Sequence, residues 1–434
     1  MTTAELHFGR GRLPVSLPAD IRTLIIDKPT MPVMPDPEQA VRRALVDAVG
    51  CDSLAELASQ ASHACIAICD ITRPVPNHLF LRPMIQTLID SGMDRENIIV
   101  LVATGLHRPN LGDELAELVG DPWVLENVVV ENHDARNDEQ HITLGSTPTR
   151  GTNVRIDRRF VEADLRIATG LVEPHFMAGY SGGRKVIAPG LAHAETITTF
   201  HSGRFMADPS ARNCNLAGNP LHQEQLEIVK MLGVAYAVNT IIDPDRNLSM
   251  INFGEIIASH QQAVEQARRF CEVSVSERFS TVVTSAAGYP LDKTYYQTIK
   301  GMVGALDILA PGGDLIIASE CSEGMGSDEF VEAQKRLVAH GPDAFLESVL
   351  AKQFADIDEW QTQMQLGPQA VGDVYLYAEG LNDADWQATG VRRVRNIDQT
   401  IRESIARHQS DAVVIVPEGP YVVPLYQPDT LGIV

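Results

Sequence analysis

The chain has 434 residues and a formal charge of −22, from 35 Lys+Arg against 57 Asp+Glu. That length exceeds one ordinary core, so two domains are expected, and the acidic balance, without a basic tail or stripe, argues against nucleic acid or anionic membrane as partners. The segment Met1–His7 lacks the basic start and apolar run of a signal peptide, no stretch approaches the ~20 apolar residues of a membrane helix, and six scattered cysteines without C-x-x-C pairs suit a cytoplasmic protein with no disulfide framework.

Apolar runs alternate with amphipathic stretches along the chain. Strands are predicted over 23–27, 64–69, 97–103, 128–131 and 164–169, and helices over 37–49, 78–91, 111–118 and 219–232. The order implies an α/β fold of two α/β domains with largely parallel sheets, with sites at the carboxyl ends of strands. The strand over 64–69 runs into Asp70-Ile-Thr-Arg-Pro-Val-Pro-Asn77, which places Asp70 and Arg73 just past its end. An Asp–Arg pair there could equally brace a loop. The next strand ends in Thr104-Gly-Leu-His107, and a histidine at a strand mouth is a candidate acid or base. His133 and His141 fall in a polar run and read as part of a solvated loop or edge.

After the strand over 164–169 come His175, the glycine-rich Gly179-Tyr-Ser-Gly-Gly-Arg-Lys185, and His201. Consecutive glycines after a strand free backbone N–H groups for an anion, and Arg184 and Lys185 would add charge at the same spot. The segment fits neither the Walker pattern, since Val186 follows the lysine, nor the dinucleotide fingerprint. Gly-rich turns are more often structural, so this stretch alone decides little.

A helix over 255–273 should close the first block, 1–273, which the apolar tail over 412–434 rejoins; residues 274–411 form the second. There a strand over 280–285 leads to a helix through Lys293–Met302. Tyr296, Gln297 and Lys300 share one face of it, although an ordinary solvated helix would show the same spacing. Strands over 315–319, 373–376 and 411–416 and helices over 328–340, 357–365 and 397–408 complete this block.

Together these pieces resemble the nickel-dependent lactate racemase family. The resemblance rests on Asp70-x-Thr-Arg-Pro, Thr104-Gly-x-His107, Glu173-Pro-His175, Gly-x-Ser-Gly-Gly-Arg-Lys185, His201 and Leu291-Asp-x-x-x-Tyr-Gln-x-x-Lys300. It spans most of the chain. It implies two α/β domains with the active site in the cleft between them. It implies a nickel-pincer nucleotide (pyridinium-3,5-bisthiocarboxylic acid mononucleotide nickel) joined covalently to Lys185, with His201 as the protein ligand to nickel. Asp70, Thr72, Gly182, Gly183 and Arg184 would surround the cofactor. His107 and His175 would be paired acid/bases, and Arg73, Tyr296, Gln297 and Lys300 would hold a 2-hydroxy acid. Cofactor-synthesis enzymes are implied partners, and self-association is left open.

Inverting C2 of such an acid through a 2-keto acid needs a hydride acceptor, supplied by the cofactor, and bases working near neutrality, which imidazole provides. Competing readings are a nicotinamide-dependent oxidoreductase, a metal hydrolase and a non-catalytic cofactor carrier. The missing G-x-G-x-x-G and H-E-x-x-H patterns and the presence of both His107 and His175 weigh against them.

Overall fold

Strands Ala64–Cys69 and Ile98–Ala103 are apolar at nearly every position because both of their faces are buried. Ile66, Ile68, Val100 and Val102 pack under Phe80, Leu81, Ile85 and Leu88 of helix Asn77–Asp90. The alternate residues Cys65, Ala67, Leu101 and Ala103 face Val186, Ile187 and Leu191. The computed structural model, which describes residues 2–428, sets these strands in the first of two six-stranded sheets.

The first sheet runs, edge to edge, Leu248–Glu255, Tyr236–Ile242, Leu165–Leu171, Ala64–Cys69, Ile98–Ala103 and Val129–Asn132. Only its outermost pair, Leu248–Glu255 with Tyr236–Ile242, is antiparallel. The second sheet is parallel throughout, in the order Arg392–Val394, Asp373–Tyr377, Leu309–Ala318, Phe279–Ser285, Ala412–Val416 and Arg22–Ile25. One face of it packs on helix Ile397–His408 and on the hairpin Thr2–Phe8/Gly11–Leu17. The other face joins Tyr295, Ile299 and Met302 in a core continuous with that of the first sheet. The strand ends of the first half therefore face helices of the second across one cleft.

The α/β class and the largely parallel sheets agree with the sequence-based expectation. One segment changes sides: Arg22–Ile25, expected in the first block, is an edge strand of the second sheet, paired with Ala412–Val416. The latter lies beside Phe279–Ser285, in the block that its strand was expected to complete. Parallel partners are remote in sequence, so nothing local specifies which sheet an apolar strand enters. Val423–Tyr426 does pair with Glu272–Val275 at the end of the first block. The last part of the tail expectation lies outside the described residues. His133 and His141 are buried, with Nε2 atoms 3.0 Å apart and His193 stacked edge-on against His141, so the solvated-loop reading is corrected. Among the described residues no helix is long and apolar enough to cross a membrane.

Candidate active site

Three neighbouring strands of the first sheet, Leu165–Leu171, Ala64–Cys69 and Ile98–Ala103, open into one cleft of ≈ 1030 Å³. The prolines after Cys69 stop that strand, and a tight turn from Arg73 N–H to the Asp70 carbonyl holds both side chains at its mouth. Gly105 takes φ +55°, and the turn that follows brings the His107 N–H to the Thr104 carbonyl and the ring to the cleft. From the other half, Thr294 caps helix Tyr295–Gly304 and presents Tyr296, Gln297 and Lys300 on the cleft side.

Each ring at the site is fixed by its partner. His107 Nδ1 lies 2.5 Å from Asp70 Oδ2, while Asp70 Oδ1 accepts from the Thr72 N–H and hydroxyl. The Asp70 carboxylate raises the His107 pKa against the effect of burial. Burial would raise Asp70 too, but His107, Thr72 and Arg73 outweigh it and hold the carboxyl at about 2. His175 Nδ1 accepts from the backbone N–H groups of Ala178 (3.1 Å) and Met177 (3.3 Å). Burial, with Lys185, Arg73 and Lys300 nearby, holds His175 well below the ordinary histidine value. His201 closes helix Ala194–Phe200, and its Nδ1 lies 3.0 Å from the Ile197 carbonyl. Burial and Lys185 push its pKa down to about 3, so the ring is neutral and its Nε2 lone pair is free.

Three basic side chains line the same space. Arg73 is matched by Glu173 at 2.5 Å, which keeps it charged despite burial. Lys185 and Lys300 have no carboxylate within ion-pair distance among the described residues. Burial, followed by the repulsion of Arg73, drives Lys185 down to about 7. The same two effects depress Lys300 strongly. A buried cation without a counter-ion is costly unless a ligand supplies one. Gln297 Oε1 is likewise buried with no hydrogen-bond partner among the described residues.

Of the residues expected at the site, Asp70, Thr72, Arg73, His107, His175, Gly182, Lys185, His201, Tyr296, Gln297 and Lys300 line the cleft. Two do not. Arg184 points into the core, 1 % exposed, where it binds His222 Nδ1 at 2.8 Å and the carbonyls of Ala178 and Tyr180 at 3.1 Å. Gly183, at φ +49°, is held tight because a Cβ would lie 2.9 Å from His260. Neither residue lines the cleft; both shape the loop that carries Lys185. Sequence reasoning missed Glu173 as the partner of Arg73, and also Asp358, Trp360 and Gln361. The start of helix Glu359–Val371 brings these last three to the cleft. Trp360 packs 4.9 Å from the His201 ring and donates to the Tyr296 hydroxyl at 3.3 Å.

No cluster of three or more His, Cys, Asp or Glu among the described residues is placed to hold a metal. A metal at His201 would need its other donors from a bound molecule, whereas the ring's tautomer already suits a borderline ion such as nickel.

The fold and the cleft define a two-sheet α/β protein with three basic side chains and preset imidazoles gathered in one cleft. Two family models match the chain: the lactate racemase N-terminal domain over residues 8–213 and the C-terminal domain over 275–423. The lactate racemase of Thermoanaerobacterium thermosaccharolyticum is 30% identical over 429 residues, covering 98% of this chain and 99% of that one. That of Lactiplantibacillus plantarum is 29% identical over 386 residues, 88% and 89% of the two chains. The structure of the lactate racemase apoprotein from T. thermosaccharolyticum superposes with a TM-score of 0.90 at 28% identity, covering 98% of this chain and all of that one. A Thermotoga maritima protein shares the fold at TM-score 0.67 and 16% identity. The chain belongs to the lactate racemase family and is an isomerase.

Proposed function

We propose that this enzyme inverts the C2 configuration of a 2-hydroxy acid, lactate or a close relative, through a 2-keto acid. It would do so with a nickel-pincer nucleotide attached covalently to Lys185 and with His201 as the protein ligand to nickel. The observation that carries the reading is the pairing of a buried, depressed lysine with a neutral imidazole whose Nε2 is free, in one cleft. An amine with a pKa of about 7 is about half unprotonated at neutral pH, and covalent attachment requires that free form. When bound, the cofactor supplies the hydride acceptor that C2 inversion needs.

The remaining roles fall to side chains already described. Arg73 and Lys300 would bind the substrate carboxylate, with Gln297 and Tyr296 beside it, and would fix C2 in the cleft. His107 and His175 would act as the acid/base pair at the hydroxyl. Asp70, Thr72 and Gly182 would flank the nucleotide. Six free cysteines suit a reducing cytoplasm, where cofactor-synthesis enzymes would load the protein.

The test is the intact mass and nickel content of protein co-expressed with those enzymes. An adduct mapping to Lys185, absent from Lys185→Ala, is expected. An adduct that survives in Lys185→Ala contradicts the assignment.

A further inference from the structure

In the second sheet the chain leaves Phe279–Ser285 towards Leu309–Ala318 on one side, whereas Ala412–Val416 lies on its other side. Open α/β sheets bind ligands in the crevice outside the carboxyl ends of the strands at such a reversal. The catalytic cleft takes only helix residues and one helix cap from this half. The reversal faces a different cavity, of ≈ 780 Å³. Lys28, Ala287 and Glu418 line it just past the ends of Arg22–Ile25, Phe279–Ser285 and Ala412–Val416, and Val172 does so just past Leu165–Leu171 of the first sheet. The Arg73–Glu173 pair stands between the two spaces, with Glu173 lining the cavity and Arg73 the cleft.

The charges of this cavity are unbalanced. Asp243 accepts from the backbone N–H and side-chain amide of Asn247 at 2.8 and 3.0 Å, and Glu173 is engaged by Arg73. Lys28 and Arg246 make no ion pair or side-chain hydrogen bond among the described residues. The Lys28 amine lies 5.9 Å from the centre of the Tyr421 ring, whose hydroxyl also has no hydrogen-bond partner among the described residues. Glu418 is the remaining carboxyl, and burial raises its pKa against the pull of Lys28 and Arg12. Burial and nearby cations hold His7 at about 4, so its ring is uncharged at neutral pH. Glu418 therefore cancels at most one of two positive charges. The rest of the wall is apolar, with Met31, Val172 and Ile241 clustered beside Phe270.

We propose that this cavity is a second binding site, separate from the catalytic cleft, for an organic monocarboxylate with an aromatic body. Lys28 and Arg246 hold the carboxylate, the guanidinium being able to engage both oxygens, and the Tyr421 hydroxyl donates to it. The ring lies against Met31, Val172, Ile241 and Phe270, where its apolar area leaves water. The volume is that of a small-molecule site, and the net positive charge matches a monoanion better than a phosphate dianion. The inference goes beyond the racemase reading and does not depend on it.

Photolabelling of the full-length protein with a benzoate that carries a trifluoromethyl-diazirine tests this, with insertion mapped by peptide mass spectrometry. Label is expected on Met31 and within residues 267–271. Phenylpropionate should compete for it, and inorganic phosphate at the same concentration should not. The benzyl alcohol of the same shape lacks the charge and should label these segments at least about tenfold less, and the double substitution Lys28→Gln/Arg246→Gln should reduce benzoate labelling to a similar extent. If the double variant does not fold, the alcohol still decides. Label confined to peptides of the catalytic cleft, equal labelling by the alcohol, competition by phosphate as strong as by phenylpropionate, or a folded double variant labelled like wild type would each overturn the proposal.

Discussion

Lys185 offers a prediction that needs neither cofactor nor substrate. Its amine is buried beside Arg73 and Arg184, and its pKa falls to about 7. At pH 7.5 such an amine is neutral in about three molecules of four, whereas an ordinary lysine near 10.4 is neutral in about one in a thousand. Lys185 should therefore present several-hundred-fold more free amine than a surface lysine at that pH. Trace labelling of cofactor-free protein with acetic anhydride from pH 5 to 11, quantified site by site by peptide mass spectrometry, reads this directly. Exposed Lys335 serves as the internal reference. The midpoint of the Lys185 curve is independent of how easily the reagent enters the cleft, and it should fall near 7. A midpoint near 10.5 would mean that the cleft solvates or pairs the ammonium, and the argument for a preset nucleophile would fail.

Other substitutions separate ligand-binding residues from structural ones. His201→Ala should lose nickel while the organic adduct stays on Lys185, as metal analysis and intact mass would show; stoichiometric nickel in this variant would refute the ligand assignment. Arg184→Met strands His222 Nδ1 and two carbonyls and should lower stability by about 2–5 kcal/mol, measured as a fall in Tm. A variant of wild-type stability that fails to load cofactor would return Arg184 to the site. Asp70 is depressed to about 2 and His107 is raised, so their mutual stabilisation is complete between about pH 4 and 6.5. It fades as pH falls towards 2 and as pH rises through the His107 value. Asp70→Asn should thus lower Tm most between pH 4 and 6.5, and a Tm deficit that does not change with pH would contradict the pairing.

The strand mouths were legible because prolines and glycines punctuate them. Asp70, Arg73, His107 and His175 follow apolar runs that both faces of a sheet must bury, and the structure places all four at the cleft. Tyr296, Gln297 and Lys300 were legible from helical spacing and a motif. The inward turn of Arg184 was not legible, because a Gly-Gly-Arg-Lys run says nothing about which side chain turns inward; two positive-φ glycines and a four-residue helix decide that. Asp358 and Trp360 carry no local signal, since they reach the cleft only through contacts between the two halves. His133 and His141 looked solvated because their neighbours are polar, yet the rings pack against each other. Arg22–Ile25 resembled any parallel strand, and its partner lies nearly four hundred residues away.

The most direct test of the central claim is chiral chromatography of each pure lactate enantiomer, and of a panel of other 2-hydroxy acids, incubated with cofactor-loaded protein. At least one acid should run to a racemic or epimeric equilibrium from both starting configurations, with no stoichiometric build-up of 2-keto acid. Retention of configuration in every acid tested, or net oxidation to the keto acid, would contradict the account.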